Sequence, residues 1–293
     1  MTGPKVFLDY DQAALDAAYD QAAYEPNIDQ LRSRWASNSA RTRARIGAPL
    51  RRKYGESEIE GLDIFRTTRA AAPIFVFIHG GAWRAGMADS YSAPAEMFTR
   101  AGAHFVVPDF DWVQNRDGDL LPIADQIRRA VAWTYRNAAS FGGDPNRLYV
   151  GGHSSGAHMT AVALTTDWPG DHDLPTDIIK GGLCSSGMYE LAPVRLSHRS
   201  AYVKFTDEMV EKLSPIRHLD RLVAPLIISY GTYETPEFQR QARDFAAAIE
   251  AAGKPVELLV GENYSHMETP ETLASPHGLL GAAALELMGL GQG

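Results

Sequence analysis

The sequence predicts an α/β fold: a mainly parallel sheet with helices on both faces and a small helical cap. Three observations carry this expectation. From about residue 73 onward, short apolar runs that suit strands alternate with longer amphipathic stretches that suit helices, the signature of a parallel sheet covered on both sides. Several of the apolar runs are continuous, as strands buried on both faces are. The strand-like runs also end in glycine-rich or polar turns, where an open α/β sheet collects its ligands.

The elements follow in order. The 293 residues are 45% hydrophobic, enough for a sizeable core, and no linker divides them, so the expectation is one domain over 1–293. Residues 1–50 read as a helical N-terminal extension. Its helix-like pieces over 11–45 break at Glu25-Pro26-Asn27, and Leu31, Arg34, Trp35 and Asn38 recur at helical spacing. Residues 50–68 suit two strands around the turn YGESEIEG. PIFVFIHGG at 73–81 and AHFVVPDF at 103–110 suit buried strands, with a helix over 90–101 between them. In 121–142, Ile123, Ile127, Val131 and Tyr135 form a helical stripe that Gly142-Gly143 ends. NRLYVGG is the next strand, SGAHMTAVALTT the next helix and DIIKGGLCSSG a further strand. LVAPLIISYG, a strand, precedes the helix TPEFQRQARDFAAAIEAAG. The strand PVELLVG and a helical segment over 270–290 close the chain. Only the loops 165–177 and 187–224 are long, and the second can form the cap.

Composition excludes several function classes. A formal charge of −8 argues against a nucleic-acid partner, which favours a basic surface. With a single cysteine, Cys184, no intramolecular disulfide can form, and the residue reads as small and buried. The opening stretch MTGPKVFLDYDQ lacks the apolar core of a secretory leader. No stretch approaches the roughly 20 apolar residues of a membrane span. The expectation is therefore a cytoplasmic protein with neither a membrane nor a nucleic-acid partner.

The chemistry concentrates at the strand ends. Gly152-His153-Ser154-Ser155-Gly156 fits the G-x-S-x-G turn between a strand and a helix. His79-Gly80-Gly81-Ala82-Trp83, Gly231-Thr232-Tyr233-Glu234 and Glu262-Asn263-Tyr264-Ser265-His266 follow three other strands. Nucleophile, acid and histidine thus occur in the chain order of an α/β-hydrolase. A serine hydroxyl needs a base to take its proton, and His266 is the candidate. A carboxylate must hold that imidazole in one tautomer; Glu234 is the candidate, with Glu237 competing. For the developing oxyanion the expected donors are the backbone N–H groups of Gly81, Ala82 and Ser155, each typically worth about 2.7–4 kcal/mol of barrier. His79 and His153 would brace the turns, His158 would pack on a helix and His277 would sit at the surface. Asp171, His172 and Asp173 read as an acidic surface loop, because no second cluster with ligand spacing supports a metal. No metal and no cofactor are expected.

Beyond the elbow, the sequence resembles α/β-hydrolases of the kynurenine formamidase (arylformamidase) type, relatives of the hormone-sensitive-lipase-like esterases. HGGAW resembles the family's H-G-G-x-W loop, and GHSSGAHM its elbow followed by a histidine. SSGMYELAP at 185–193 resembles its S-G-x-Y-D-L-x-P segment, and EKLSPIRHL at 211–219 its S-P stretch. GTYETPEFQRQARDF and ENYSHMETPETLASP resemble its acid and histidine regions. The resemblance covers most of residues 70–290 and implies the α/β-hydrolase fold. It also implies a triad of Ser154, His266 and Glu234, and hydrolysis of an N-acyl or N-formyl aryl amide or a small ester through an acyl-enzyme. The chain departs from the pattern at Ala82, where a bulkier residue is common, at Glu234, where aspartate is usual, and at NYSHM, where N-H-F is common. Esterase and formamidase therefore both stay open. Trp83, Trp112 and Tyr189 are candidate pocket walls for a flat substrate. A non-catalytic small-molecule binder and an acyltransferase on the same fold are the alternatives. Residues 1–50 would either cover the pocket or form a homodimer contact.

Overall fold

A computed structural model describes residues 3–291. Met1, Thr2, Gln292 and Gly293, the ends of the 1–293 span and of the MTGPKVFLDYDQ stretch, lie outside the described residues. The chain opens with a two-stranded antiparallel ribbon, β1 (Lys5–Phe7) and β2 (Tyr10–Asp11), where the sequence predicted helix. Two strands of three and two residues carry too little periodicity to be seen in advance. Helices Gln12–Ala18 and Ile28–Ile46 follow, separated at the expected break.

Eight further strands build one sheet: β3 (Leu50–Lys53), β4 (Gly61–Phe65), β5 (Ala72–Ile78), β6 (His104–Pro108), β7 (Gly143–His153), β8 (Gly182–Ser185), β9 (Leu226–Gly231) and β10 (Val256–Gly261). Their order is β10-β9-β8-β7-β5-β6-β4-β3. Pairing is parallel from β10 through β6, while β4 runs antiparallel to both β6 and β3. Strand alternation divides β5 between two cores. Ile74 and Val76 join Val106, Val150 and residues of helices Leu121–Asn137, Ser155–Leu164 and Pro236–Ala251. Phe75 and Phe77 join Phe98, Phe105 and helix Leu279–Leu287 on the other face. There the Phe75 and Phe98 rings stack at 4.6 Å. Burial of each such ring contributes about 1.5–3 kcal/mol. Cys184 is fully buried in β8, and burial raises its thiol pKa.

Two helices are shorter than the sequence predicted. The 90–101 segment is a 3-10 turn, Ala88–Tyr91, then helix Ala95–Arg100, because Pro94 cannot sit inside a helix and caps the second piece instead. The C-terminal segment breaks likewise at Pro276 into a 3-10 helix, Thr269–Ala274, and helix Leu279–Leu287. Segment 187–224 holds short helices at Leu191–Val194 and Asp207–Lys212 with 3-10 turns between and after them. The N-terminal segment docks on it: Gln12 Nε2 donates to the Leu196 carbonyl at 2.8 Å, and Arg199 Nη2 to the Tyr19 carbonyl at 2.9 Å. No helix among the described residues is long and apolar enough to cross a membrane.

Candidate active site

The turn after β7 sets Ser154 at φ 57°, ψ −126°, a region that costs a non-glycine residue about 1–3 kcal/mol. Its glycine neighbours permit this. A Cβ on Gly152 would lie 2.5 Å from the Gly156 carbonyl oxygen, and one on Gly156 would lie 2.0 Å from that of Ile78. Helix Ser155–Leu164 can therefore begin in direct contact with the sheet.

Three distant segments meet at this serine. Ser154 Oγ donates to His266 Nε2 at 2.9 Å. His266 Nδ1–H donates to Glu234 Oε2 at 2.9 Å. Glu234 Oε1 in turn accepts from the Ser186 hydroxyl and the Gly231 N–H, both at 2.6 Å. His266 and Glu234 are buried. Burial holds the imidazole below its ordinary pKa, with the charges of Arg199 and Arg32 adding to the effect, so the ring is neutral at pH 7. Burial raises the Glu234 carboxyl, and the Ser186 and Gly231 donors oppose it. A neutral ring with its proton fixed on Nδ1 leaves Nε2 free to accept a proton from Ser154.

Glu237, the competing acid, lies elsewhere. It pairs with Arg240 at 2.7 Å and accepts from the Tyr19 hydroxyl at 2.9 Å. His158, His153 and His79 are engaged in packing and bracing, whereas His277 is exposed as expected. Trp83 Nε1–H donates to His158 Nδ1 at 3.2 Å, and His158 Nε2–H donates to the Leu213 carbonyl at 2.7 Å. His153 Nε2–H donates to the His266 carbonyl at 2.9 Å and so braces the histidine loop. His79 stacks between Tyr91 and Phe110, with centroids at 5.0 and 4.2 Å.

The loop after β5 is wound through positive φ at Gly81 (120°), Ala82 (55°) and Trp83 (60°). A Cβ on Gly81 would lie 2.0 Å from the Ala85 carbonyl oxygen. Among the described residues, no protein acceptor takes the N–H of Gly81, Ala82 or Ser155. Gly81 and Ala82 line the same cavity as Ser154. The Ser155 side chain has a role the sequence did not suggest: its Oγ accepts the Trp83 N–H at 3.2 Å and ties this loop to the elbow.

The cavity, about 400 Å³, also holds Tyr19, Gln21, Ile28 and Arg32 from the N-terminal segment and Arg199 and Tyr202 from 187–224. Trp83, Trp112 and Tyr189 do not line it, contrary to expectation. The successive positive φ values turn Trp83 inward, where it is 1% exposed against His158. Trp112 is half-buried and donates from Nε1 to the Gly86 carbonyl at 3.0 Å, bracing the loop from outside. Tyr189 stacks on Phe245 at 4.3 Å in the core below. Tyr19, Arg199 and Tyr202 escaped the sequence because nothing local marks them; they reach the cavity through tertiary docking alone.

Buried neutral histidines make folding sensitive to acid. Burial depresses His153 to about 3 and His158 to about 4. The unfolded chain therefore binds more protons below about 6.5, and stability is full above that pH and lost as pH falls toward 4. Each histidine contributes a slope of up to about 1.4 kcal/mol per pH unit. Urea midpoints should be lower at pH 5 than at pH 7.5; equal midpoints would contradict neutral burial of these rings.

Comparisons with known proteins agree with this architecture. The BD-FAE family model matches residues 62–178. A kynurenine formamidase of Danio rerio is 28% identical over 288 residues, covering 94% of this chain and 96% of that protein. One from Salmo salar is 29% identical over 244 residues, covering 80% of each. Among solved structures, a candidate thioesterase from a Silicibacter species superposes with a TM-score of 0.79 at 24% identity, covering 92% of this chain and 97% of that one. A thermophilic esterase, Est2, of Thermogutta terrifontis superposes at 0.66 with 19% identity, covering 83% and 90%. The chain is a hydrolase of the α/β-hydrolase fold, similar over most of its length to kynurenine formamidases.

Proposed function

We propose that this enzyme cleaves small carboxylic esters or N-formyl and N-acyl aryl amides through an acyl-enzyme on Ser154. One observation carries this reading: the unbroken line of hydrogen bonds from Ser154 Oγ through His266 to Glu234. In it, Ser154 Oγ attacks the scissile carbonyl carbon as its proton passes to His266 Nε2. Glu234 stabilises the imidazolium so formed. The tetrahedral oxyanion takes hydrogen bonds from the N–H groups of Gly81, Ala82 and Ser155. Collapse breaks the bond to the leaving alkoxide or amine, which receives the proton from His266. Water then attacks the acyl-serine, giving its proton to the same nitrogen, and the acid departs with Ser154 restored.

The two kynurenine formamidase relatives favour an N-formyl aryl amide among the possible substrates. A panel of N-formylkynurenine, formanilide, p-nitrophenyl acetate and p-nitrophenyl butyrate, each with and without EDTA, tests the proposal. The expected result is turnover of at least one ester or amide at a rate the chelator leaves unchanged. Activity that EDTA abolishes and added metal restores would contradict a serine mechanism.

A further inference from the structure

Arg199 lines the cavity with a charge that no acidic residue balances. It is 6% exposed, yet among the described residues it forms no ion pair. Its Nη1 donates to the Tyr202 hydroxyl at 2.8 Å and its Nη2 to the Tyr19 carbonyl at 2.9 Å. Nε is buried with no acceptor. The guanidinium lies 5.8 Å from the ring centres of both Trp83 and Phe238. The buried carboxylates of this region pair with other groups: Glu237 with Arg240 and Tyr19, Glu234 with His266, and Glu25 through Oε1 with Ser265 and Met267, its Oε2 buried without a partner.

The remaining charge of the cavity has the same sign. Arg32 and Arg84 also line it, against one carboxylate, the exposed Asp20. Arg32 is paired to Asp29 at 3.3 Å, and Arg84 lies over the Tyr202 ring at 4.5 Å. The chain as a whole carries −8, so the cavity wall opposes the charge of the molecule. The field of Arg199 also reaches the triad, since it adds to burial in depressing His266. Withholding a counter-ion from a buried guanidinium is strongly unfavourable, because its charge has been removed from water without compensation. Such an arrangement is sustained where a ligand brings the missing charge, and the planar fork of arginine matches a carboxylate. A single unpaired charge fits one carboxylate better than a phosphate monoester, which carries about −1.5 to −2.

We propose that Arg199 is a specificity-determining residue that holds a carboxylate of the substrate, so the esters or amides cleaved at Ser154 are anionic. This rests on the hydrolase mechanism proposed above. The assay uses two matched pairs. Mono-4-nitrophenyl succinate against 4-nitrophenyl butyrate places the carboxylate in the acyl part; 4-acetoxybenzoate against its methyl ester places it in the leaving group. In at least one pair the anionic member should have the higher kcat/KM. Arg199→Gln should lower that value at least about tenfold more than it lowers the neutral partner's, mainly through KM, with Arg199→Lys retaining part of the preference. A preference for the neutral member in both pairs overturns the proposal, as does an equal loss on both members, which is what a purely structural arginine would give. If Arg199→Gln does not fold, the wild-type preference and Arg199→Lys decide. If folded wild-type protein turns over none of the four and neither N-formylkynurenine nor formanilide, the hydrolase mechanism is what has failed. Calorimetric titration of Ser154→Ala with 4-acetoxybenzoate then reads the anion site without chemistry: binding that the added Arg199→Lys change weakens supports it, and no binding refutes it.

Discussion

Ser154→Ala is expected to lower kcat/KM for every substrate the enzyme cleaves by about 10⁴–10⁶-fold, the loss typical when a triad nucleophile is removed. No other hydroxyl can substitute. Ser155 Oγ is engaged with the Trp83 N–H, and Ser186 Oγ with Glu234. The fold should survive, since the hydroxyl of Ser154 bonds only to His266 and alanine keeps the Cβ already accommodated at φ 57°. Circular dichroism and gel filtration matching the wild type would establish that the loss is chemical. Residual activity within a hundredfold of wild type, on a preparation free of contaminating esterase, would remove Ser154 from the mechanism.

Glu234→Gln is expected to cost about 10⁴-fold in kcat, with little change in KM. Three donors converge on this carboxylate: the Ser186 hydroxyl, the Gly231 N–H and His266 Nδ1–H. A glutamine amide has the same shape but only one acceptor oxygen, so its NH2 must face at least one of those donors. If it faces His266, the ring reverses its tautomer and presents Nε2–H to Ser154, where it can no longer take a proton. Glu237→Gln is the matched comparison. It breaks the buried pair with Arg240 and the bond from Tyr19, and so should lower thermal stability more than turnover. Activity of Glu234→Gln within tenfold of wild type, or an equal collapse in Glu237→Gln, would move the acid role away from Glu234.

The parts of the molecule legible in the sequence were those with local cause. β5 announces itself because a strand buried on both faces must be apolar at every position, and PIFVFI is. Ser154 is visible because a strand must turn into a helix within one residue, which demands glycine at 152 and 156. His266 and Glu234 were legible by position, each following a strand that ends at the same edge of the sheet. What stayed hidden depends on backbone twist or distant docking. Trp83 lies beside the loop in sequence, yet two left-handed residues in a row turn its indole away from the cavity. Tyr19 reaches the cavity through distant docking: Arg199, 180 residues away, holds its carbonyl, and Glu237 and Gln241 hold its hydroxyl. The ribbon of β1 and β2 and the proline breaks at 94 and 276 were too short or too local to register against the helical periodicity around them.

The central claim is that the hydroxyl of Ser154, activated by His266, forms the covalent intermediate. Incubation with a fluorophosphonate, followed by intact mass and peptide mapping, tests it most directly. A single phosphonyl adduct on the peptide containing Ser154 is predicted, absent in Ser154→Ala and strongly slowed in His266→Ala. Folded, active protein that takes up no adduct, or takes it up on another residue, would contradict the account.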